Sequence, residues 1–127
     1  MSGDGWLVIG DPNGSKAFDY QSCGDIEVTN GTMEFLPRTT WLHGTNVTVR
    51  GAGTLKLGGE TFGREAVVNV ADQGKVEIAA GVVQHCRKAY LNGVQLMPGR
   101  YTKNSKIKVV TGDGTLRVKG EFLVIVR

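Results

Sequence analysis

The side chains best suited to bind a metal or attack a substrate are two histidines and two cysteines. His43 and His85 are 42 residues apart, and Cys23 and Cys86 are 63 residues apart. Neither spacing matches a zinc-binding motif or a redox CxxC pair. Both are multiples of 21, so any chemistry at these side chains depends on whether the chain itself repeats with that period.

Carboxylates offer a second kind of chemistry, because paired acids bind Ca²⁺ or act as acid and base in glycoside cleavage. Asp25 and Glu27 are two residues apart, which would place both on the same face of a strand. Further carboxylates occur at Asp72, Glu77 and Asp113. No nucleophile elbow, Walker loop, HExxH or EF-hand pattern completes a catalytic set. We therefore expect a protein that is not an enzyme, with no catalytic residues, no cofactor and no metal; a small β-helical lyase or hydrolase is the enzymatic alternative.

Apolar-x-apolar pairs recur along the chain at a constant interval. Their first members are spaced by 21 residues three times in succession and by 18 residues once: Ile26, Val47, Val68, Ala89 and Ile107. The best units continue through a glycine into a second alternating strand, as in 53–57 and 74–78. Alternation with period two directs alternate side chains inward, and the glycine permits a corner.

A repeat this short cannot bury its own apolar face, so successive units must stack. We predict an all-β fold, a short right-handed parallel β-helix (β-solenoid) of about six turns with a ~21-residue repeat, as one domain over 1–127. Partial units at 7–9 and 122–126 are counted among these turns. An antiparallel sandwich or jelly roll is the alternative fold, although it does not require a constant spacing.

Residues one period apart lie above one another in a solenoid, so spacing predicts geometry. Cys23 and Cys86 are three periods apart, roughly 14 Å, which is too far for a disulfide and predicts free thiols. His43, Arg64 and His85 form a polar column. Because an arginine separates the two imidazoles, the column is expected to be solvated or to contact an anion or a glycan.

Three aromatic residues form a further column, again at intervals of 21: Tyr20, Trp41 and Phe62. Turned inward, the rings would stack in the core and help to set the register. Turned outward, they would make an aromatic strip on which the sugar rings of an extended glycan stack. The sequence leaves both orientations open.

Composition and charge limit the function classes. The chain is 40% hydrophobic and 7% aromatic with 19 Gly, which suits a globular β protein rich in turns. Residues 1–84 contain six Lys/Arg and ten Asp/Glu, whereas residues 85–127 contain nine and two. The basic end favours an anionic partner. Arg/Lys runs interleaved with aromatics are absent from the sequence, as are an 18-residue apolar stretch and a signal peptide, so we expect neither nucleic-acid binding nor membrane insertion.

The segment 90–102 reads Tyr-x-Asn-Gly-Val-x-x-x-x-Gly-x-Tyr-Thr, and a Gly-x-Gly-Thr-Leu-x-Val strand follows at 112–118. This pattern resembles the C-terminal ends of β-solenoid regions in large exported bacterial proteins, including autotransporter-like proteins and multi-domain glycan-degrading enzymes. The resemblance covers mainly 89–118, with a looser similarity at 51–57. The sequence departs from the pattern in being more basic, at Arg100, Lys103, Lys106 and Lys108.

The resemblance implies a secreted or cell-surface setting and a terminal position in a longer polypeptide, covalently linked to a catalytic domain. Together with the fold, it favours a non-catalytic carbohydrate-binding module that binds plant or cell-wall polysaccharide. The expected ligand-binding residues are Tyr20, Trp41, Phe62, His43, Arg64, His85, Tyr90 and Tyr101. A structural stalk or passenger segment is the alternative, and open solenoid ends favour self-association.

Overall fold

The computed structural model describes residues 5–13, 16–20, 24–41 and 45–120, with only the backbone for 18–20. This part of the chain is all-β and contains no helix, and so none that could span a membrane. The strands are β1 Trp6–Ile9, β2 Phe18–Tyr20, β3 Ile26–Val28, β4 Thr32–Phe35, β5 Thr39–Trp41, β6 Asn46–Val49, β7 Thr54–Leu57, β8 Val67–Val70, β9 Lys75–Ile78, β10 Val83–Cys86, β11 Lys88–Leu91, β12 Val94–Gln95, β13 Gly99–Tyr101 and β14 Thr115–Val118.

These strands form a β-solenoid of about three turns. One face is the parallel sheet β1-β4-β7-β9, and a second is β3-β6-β8-β11, on which β12 is added antiparallel. On the third side β2 pairs with β5, and Trp41 then bridges to Phe62. In the second sheet Ile26, Val47, Val68 and Ala89 are paired in sequence, which confirms that the 21-residue interval is the rung spacing.

The expected six turns are not confirmed, because the last units leave the repeat. The strand β14 pairs in parallel with β10 and antiparallel with β13, instead of continuing the sheet that ends at β9. Ile107 to Val109 belong to no strand, although Val109 is buried. The partial unit at 122–126 lies outside the described residues.

Alternation fills the interior of the solenoid. In the strands β6 to β10 the second and fourth residues are buried, while the first and third face outward. The buried set is dominated by small β-branched and aliphatic residues stacked in columns, such as Val28, Val49 and Val70. A β-branched side chain packs well against its equivalent in the next rung, so each turn covers the apolar face of its neighbour.

Two corner glycines are required by close approach rather than by unusual backbone angles. A Cβ on Gly53 would lie 2.6 Å from the carbonyl oxygen of Val28, and one on Gly74 would lie 2.4 Å from that of Val49. Each of these carbonyls belongs to the preceding turn. Glycine at these corners therefore allows successive rungs to stack without displacement.

The C-terminal end of the solenoid is closed by residues 92–114. Asn92 and Gly93 both have positive φ, 50° and 80°, and turn the chain back into the antiparallel strand β12. Leu96, Val109 and Val110 are buried behind this turn. At the outer edge of β9, the amide of Thr111 donates to Val76 O at 2.8 Å and Thr111 O accepts from Ile78 N at 3.0 Å. The closing segment therefore satisfies backbone groups that an open edge would expose.

Candidate functional site

The aromatic column exists as a backbone alignment, and its members Trp41 and Phe62 pack toward the core. Tyr20 pairs with Trp41 through the backbone, and Trp41 bridges to Phe62, as the spacing predicts. Phe62 is only 2% exposed and contacts Phe35 edge to face, with ring centroids 5.5 Å apart. Trp41 is half-buried against the same Phe35, and its indole N–H donates to Gly24 O at 3.1 Å.

The outward aromatic strip is therefore wrong at Phe62, whose ring has no face open to a sugar. The physical reason is that Phe62 and Phe35 fill the corner between two sheets, where a smaller side chain would leave a cavity. The side chain of Tyr20 is outside the described residues. Trp41 retains part of its exposed surface.

The polar column has a different outcome. His43 lies outside the described residues, whereas Arg64 and His85 line the same open cleft of about 440 Å³. The 21-residue spacing thus brings these two side chains together, on successive turns. Arg64 is exposed and His85 is half-buried, with Nδ1 of His85 3.2 Å from Oε2 of Glu60.

The other wall of the cleft comes from β14 and the residues after it. Arg117 lies directly opposite His85 in the parallel pair of β10 and β14, and Lys119 follows two residues later. On its other side Arg117 lies opposite Arg100 of β13. Three basic side chains, His85, Arg117 and Arg100, therefore form a row across three adjacent strands. We call the site lined by Arg64, His85, Arg117 and Lys119 the basic cleft. Arg100 lies next to it on β13, opposite Arg117.

The basic cleft is only partly neutralised. Among the described residues, Glu65 is the one carboxylate that lines it; the Glu65 oxygens are 3.6 Å from Lys119 Nζ and 3.8 Å from Arg87 Nε. Within the described residues, Arg64, Arg100 and Arg117 form no ion pair. Like charges placed opposite each other on neighbouring strands are destabilising, so Arg100 and Arg117 are held together at a cost that an anionic ligand would offset.

Cys86 forms part of the cleft wall but is itself fully buried. It is a free thiol, as the spacing predicts, and burial raises its pKa from 9.0 to about 12. Since the thiolate is the reactive form, this cysteine is a core residue rather than a nucleophile. Cys23 lies outside the described residues.

Gln84 holds the strand that carries His85 and Cys86. Its Oε1 accepts from the amides of Thr61 and Phe62 at 2.7 and 3.1 Å, and its Nε2 donates to Phe62 O at 2.8 Å. A further bond from Nε2 to His85 O at 2.7 Å completes the side chain's hydrogen bonding. This buried amide replaces strand pairing at the corner where β10 departs from the repeat.

The two tyrosines proposed as secondary ligand contacts do not line the cleft. Tyr101 is buried, and its hydroxyl donates to Met97 O at 2.5 Å, so it belongs to the closing segment. Tyr90 is half-buried on β11, between Asn69 and Gln95 of the neighbouring strands. The prediction that Tyr101 contacts the ligand is wrong, because the ring of Tyr101 is buried in the interior behind β13.

The acidic residues have structural partners. Asp25 accepts from the amide of Asn46 at 2.9 Å, Glu27 pairs with Arg50 at 3.0 Å, and Asp72 accepts from Gly51 N at 3.2 Å. Glu77 lies 3.4 Å from Lys56. The hydrogen bond and charge of Lys103 lower the pKa of Asp113. No group of three or more metal-ligating side chains occurs among residues 5–13, 16–20, 24–41 and 45–120.

Reasoning from the repeat missed Arg117, Lys119 and Gln84. Arg117 is 32 residues after His85, which is not a multiple of the period, so no column placed the two together. Alternation in β14 does predict that Arg117 faces outward, between the buried Leu116 and Val118. A scan against protein-family models and searches of curated proteins and of solved structures find no match to this chain.

Proposed function

We propose that this chain is a non-catalytic polysaccharide-binding module and that its ligand is an acidic polysaccharide, one whose sugars carry carboxylate or sulfate groups. The observation that carries the proposal is the basic cleft, in which Arg64 and Arg117 have no ion-pair partner among the described residues. Arg100, opposite Arg117 on the neighbouring strand, likewise has none there. An exported setting, linkage to a catalytic domain and right-handed winding of the solenoid belong to the same proposal.

The chemistry of the row suits a polymer with regularly placed anions. Neighbouring strands are about 4.8 Å apart, so His85, Arg117 and Arg100 present three donors at that pitch. Guanidinium groups bind carboxylate and sulfate through two parallel hydrogen bonds, which orients the ligand as well as attracting it. An open cleft admits a chain that continues beyond the site at both ends, as an internal segment of a polysaccharide must.

The inward aromatic column shifts the proposal away from a neutral glycan. Modules that bind neutral sugars need exposed ring faces, and Phe62 offers none while Trp41 is half-buried. The carboxylate nearest the cleft, Glu65, is shared by Arg87 and Lys119, and the Cys86 thiol is kept protonated by burial. Binding is thus better supported than bond cleavage by the described side chains.

Isothermal titration calorimetry at one fixed ionic strength tests the proposal, with polygalacturonate and a sulfated galactan as acidic ligands and xylan and β-glucan as neutral ones. We expect binding to the acidic polymers. The double substitution Arg64→Ala with Arg117→Ala is expected to weaken it by about tenfold or more per arginine, because a charge-assisted hydrogen bond contributes about 1.5–3 kcal/mol.

A control with the same loss of charge is Lys75→Ala with Lys106→Ala, two exposed cations away from the cleft. If this control weakens binding as much as the arginine variant, the attraction is diffuse and the cleft is not the site. Absence of binding to every polymer contradicts the proposal. Release of unsaturated uronate products, followed by absorbance, would instead reveal the lyase alternative.

A structural stalk is the second candidate, and the inward column favours it. The Phe35–Phe62 contact supports this candidate, because these two aromatic residues are buried in the core. A pure stalk predicts that none of the four polymers binds, while Trp41→Ala or Phe62→Ala lowers the melting temperature. The calorimetric panel therefore separates the two candidates directly.

A further inference from the structure

The two ends of the solenoid differ, and in the part of the chain that the structure describes the N-terminal end is open. The strand β1 is the terminal strand of its sheet, and its side chains Trp6, Leu7 and Val8 are 60%, 44% and 48% exposed. Leu7 lies in register with Met33, which continues to the buried Leu55, so it belongs to a core column. It is exposed because no further rung covers it in the described structure.

The outer edge of β1 lacks the protection that other edges have. Its four residues carry no charge, whereas the edge strand β3 displays the Glu27 carboxylate. Natural sheets protect exposed edges with charges, proline or covering segments, and an apolar uncharged edge is a site for pairing with another strand. Trp6 does contact its own sheet, through Nε1 to Glu34 Oε1 at 3.2 Å and beneath Lys56 Nζ, 5.1 Å from the ring centroid.

The closed C-terminal end restricts what can pair there. Head-to-tail stacking would require the outer edge of β9 to accept β1 of a second copy. That edge is already bonded to Thr111 and Gly114, whose amides donate to Val76 O and Ile78 O. Of the two end strands of this sheet, only β1 has an unpaired outer edge among the described residues, so an arrangement of β1 against β1 uses one such edge from each copy.

We infer that β1 binds the same strand of a second copy of this chain, antiparallel and about a two-fold axis perpendicular to the sheet. Such an axis keeps inward side chains on the inward face, so residues of equal parity must lie opposite each other. With the axis at Leu7, Leu7 extends the core column onto its equivalent and Trp6 lies opposite the partner's Val8. An axis at Val8 would place Trp6 opposite Gly10, outside the strand and with φ of 127°.

The pairing would close the open end and produce a finite dimer instead of a fibre, because the interface is the same surface on both copies. Its side-chain contacts are an aromatic opposite a β-branched residue on the outer face, and leucine opposite leucine on the inner face, both favourable cross-strand pairs. The basic cleft lies on β10 and β14, so each copy would keep its own cleft. If the proposed function holds, the dimer is bivalent for its polysaccharide.

Site-directed cross-linking tests the register. In a Cys23→Ser background, oxidation of Leu7→Cys is expected to give a covalent dimer, because the two sulfur atoms meet at the axis. Val8→Cys is the matched control and is expected to give no covalent dimer on oxidation, since position 6 and not position 8 of the partner lies opposite. Cys86 is buried and does not compete.

Sedimentation equilibrium gives an independent test. The unmodified chain is expected to show a monomer–dimer equilibrium, and Val8→Lys to be monomeric; Val8 faces outward beside Glu34, so the lysine is compatible with the fold. Val94→Lys, at a 66% exposed site on the closed end, is the control and should dimerise normally. If the unmodified chain is monomeric at every concentration, the inference is overturned; this result is expected if other residues or a foreign partner cover β1. The inference is also overturned if Val94→Lys dissociates the dimer as much as Val8→Lys does. Polysaccharide binding by the monomeric Val8→Lys variant separates failure here from failure of the proposed function.

Discussion

The two ends of this solenoid solve one physical problem in different ways. A stack of β rungs must stop somewhere, and its last strands expose both backbone groups and the apolar interior. At the C-terminal end, residues 92–114 leave the repeat, turn antiparallel and cover the interior with Leu96 and Val110. At the N-terminal end, β1 continues the repeat, and no other described segment covers it.

This difference indicates that the segments that leave the 21-residue repeat, and not the regular turns, form the surfaces suited to binding. The regular turns place residues only above their equivalents, as in the Val28, Val49 and Val70 column. The irregular end places Arg117 of β14 beside His85 of β10 and beside Arg100 of β13, although these residues are not separated by the period in the sequence. The basic cleft forms where the chain closes the C-terminal end. The apolar edge of β1 is exposed because no described segment closes the N-terminal end in the same way.

The largest expected effect compares a core side chain with one at the open end. Phe62→Ala is expected to lower the free energy of unfolding by about 3–5 kcal/mol, because a fully buried ring leaves a cavity. Leu7→Ala should cost under about 1.5 kcal/mol in dilute solution, since much of Leu7 is already in water. Urea denaturation of both variants is the measurement. Equal costs would show that the N-terminal end is covered in solution.

Gln84 tests how far the closed end depends on one buried amide. Gln84→Leu is expected to cost about 2–4 kcal/mol, since it leaves the amides of Thr61 and Phe62 without an acceptor. The control is Gln95→Leu, an exposed glutamine on β12, which should change stability by under about 0.5 kcal/mol. Thermal and urea unfolding report both. A Gln84→Leu variant as stable as the parent chain would mean that the corner is hydrated or repacks.

The pH dependence of stability tests the burial of Cys86. Its folded pKa is about 12 against 9.0 when exposed, so stability is complete below pH 9 and falls as the pH rises toward 12. Over that interval the unfolded chain releases a proton that the folded chain keeps, giving a slope of up to about 1.4 kcal/mol per pH unit. Urea midpoints of Cys23→Ser and of Cys23→Ser with Cys86→Ala are compared from pH 8 to 11, and the protein that keeps Cys86 should lose stability relative to the Cys86→Ala variant as the pH rises. Parallel curves would place the thiol in contact with water.

The smallest expected effect separates the two ends by their response to salt. Raising the ionic strength should weaken polysaccharide binding at the basic cleft severalfold, because exposed charges are screened within about 10 Å at 0.1 M salt. The contacts between the two β1 strands are apolar, so the affinity of the dimer should be unchanged or slightly higher at high ionic strength. Calorimetry and sedimentation across one salt series measure both. Loss of the dimer at high salt would indicate that charges, and not the apolar edge, hold the copies together.

Much of the regular structure could be predicted from residue spacing. Four apolar pairs at intervals of 21 placed Ile26, Val47, Val68 and Ala89 in one paired column, and the same interval aligned Tyr20, Trp41 and Phe62. The spacing also brought Arg64 and His85 to one cleft. These relations hold because stacking in a solenoid converts a sequence interval directly into a position.

The 21-residue period does not predict which way side chains point at the corners or how the C-terminal end of the solenoid is closed. Whether Phe62 points inward depends on the corner geometry that seats it against Phe35, which spacing alone leaves undetermined. The number of turns depends on the pairing of β14 with β10 and β13. This pairing joins residues far apart in the sequence, and no local sequence pattern predicts it.

The sequence by itself determined an all-β repeat, the rung interval and the columns, because alternation and a constant period are local properties of the chain. The tertiary structure decided which aromatics are core, which end is closed, and that Arg117 meets His85. Those outcomes depend on how non-periodic segments pack against the finished rungs, and the free energy of that packing is shared among residues far apart in the chain.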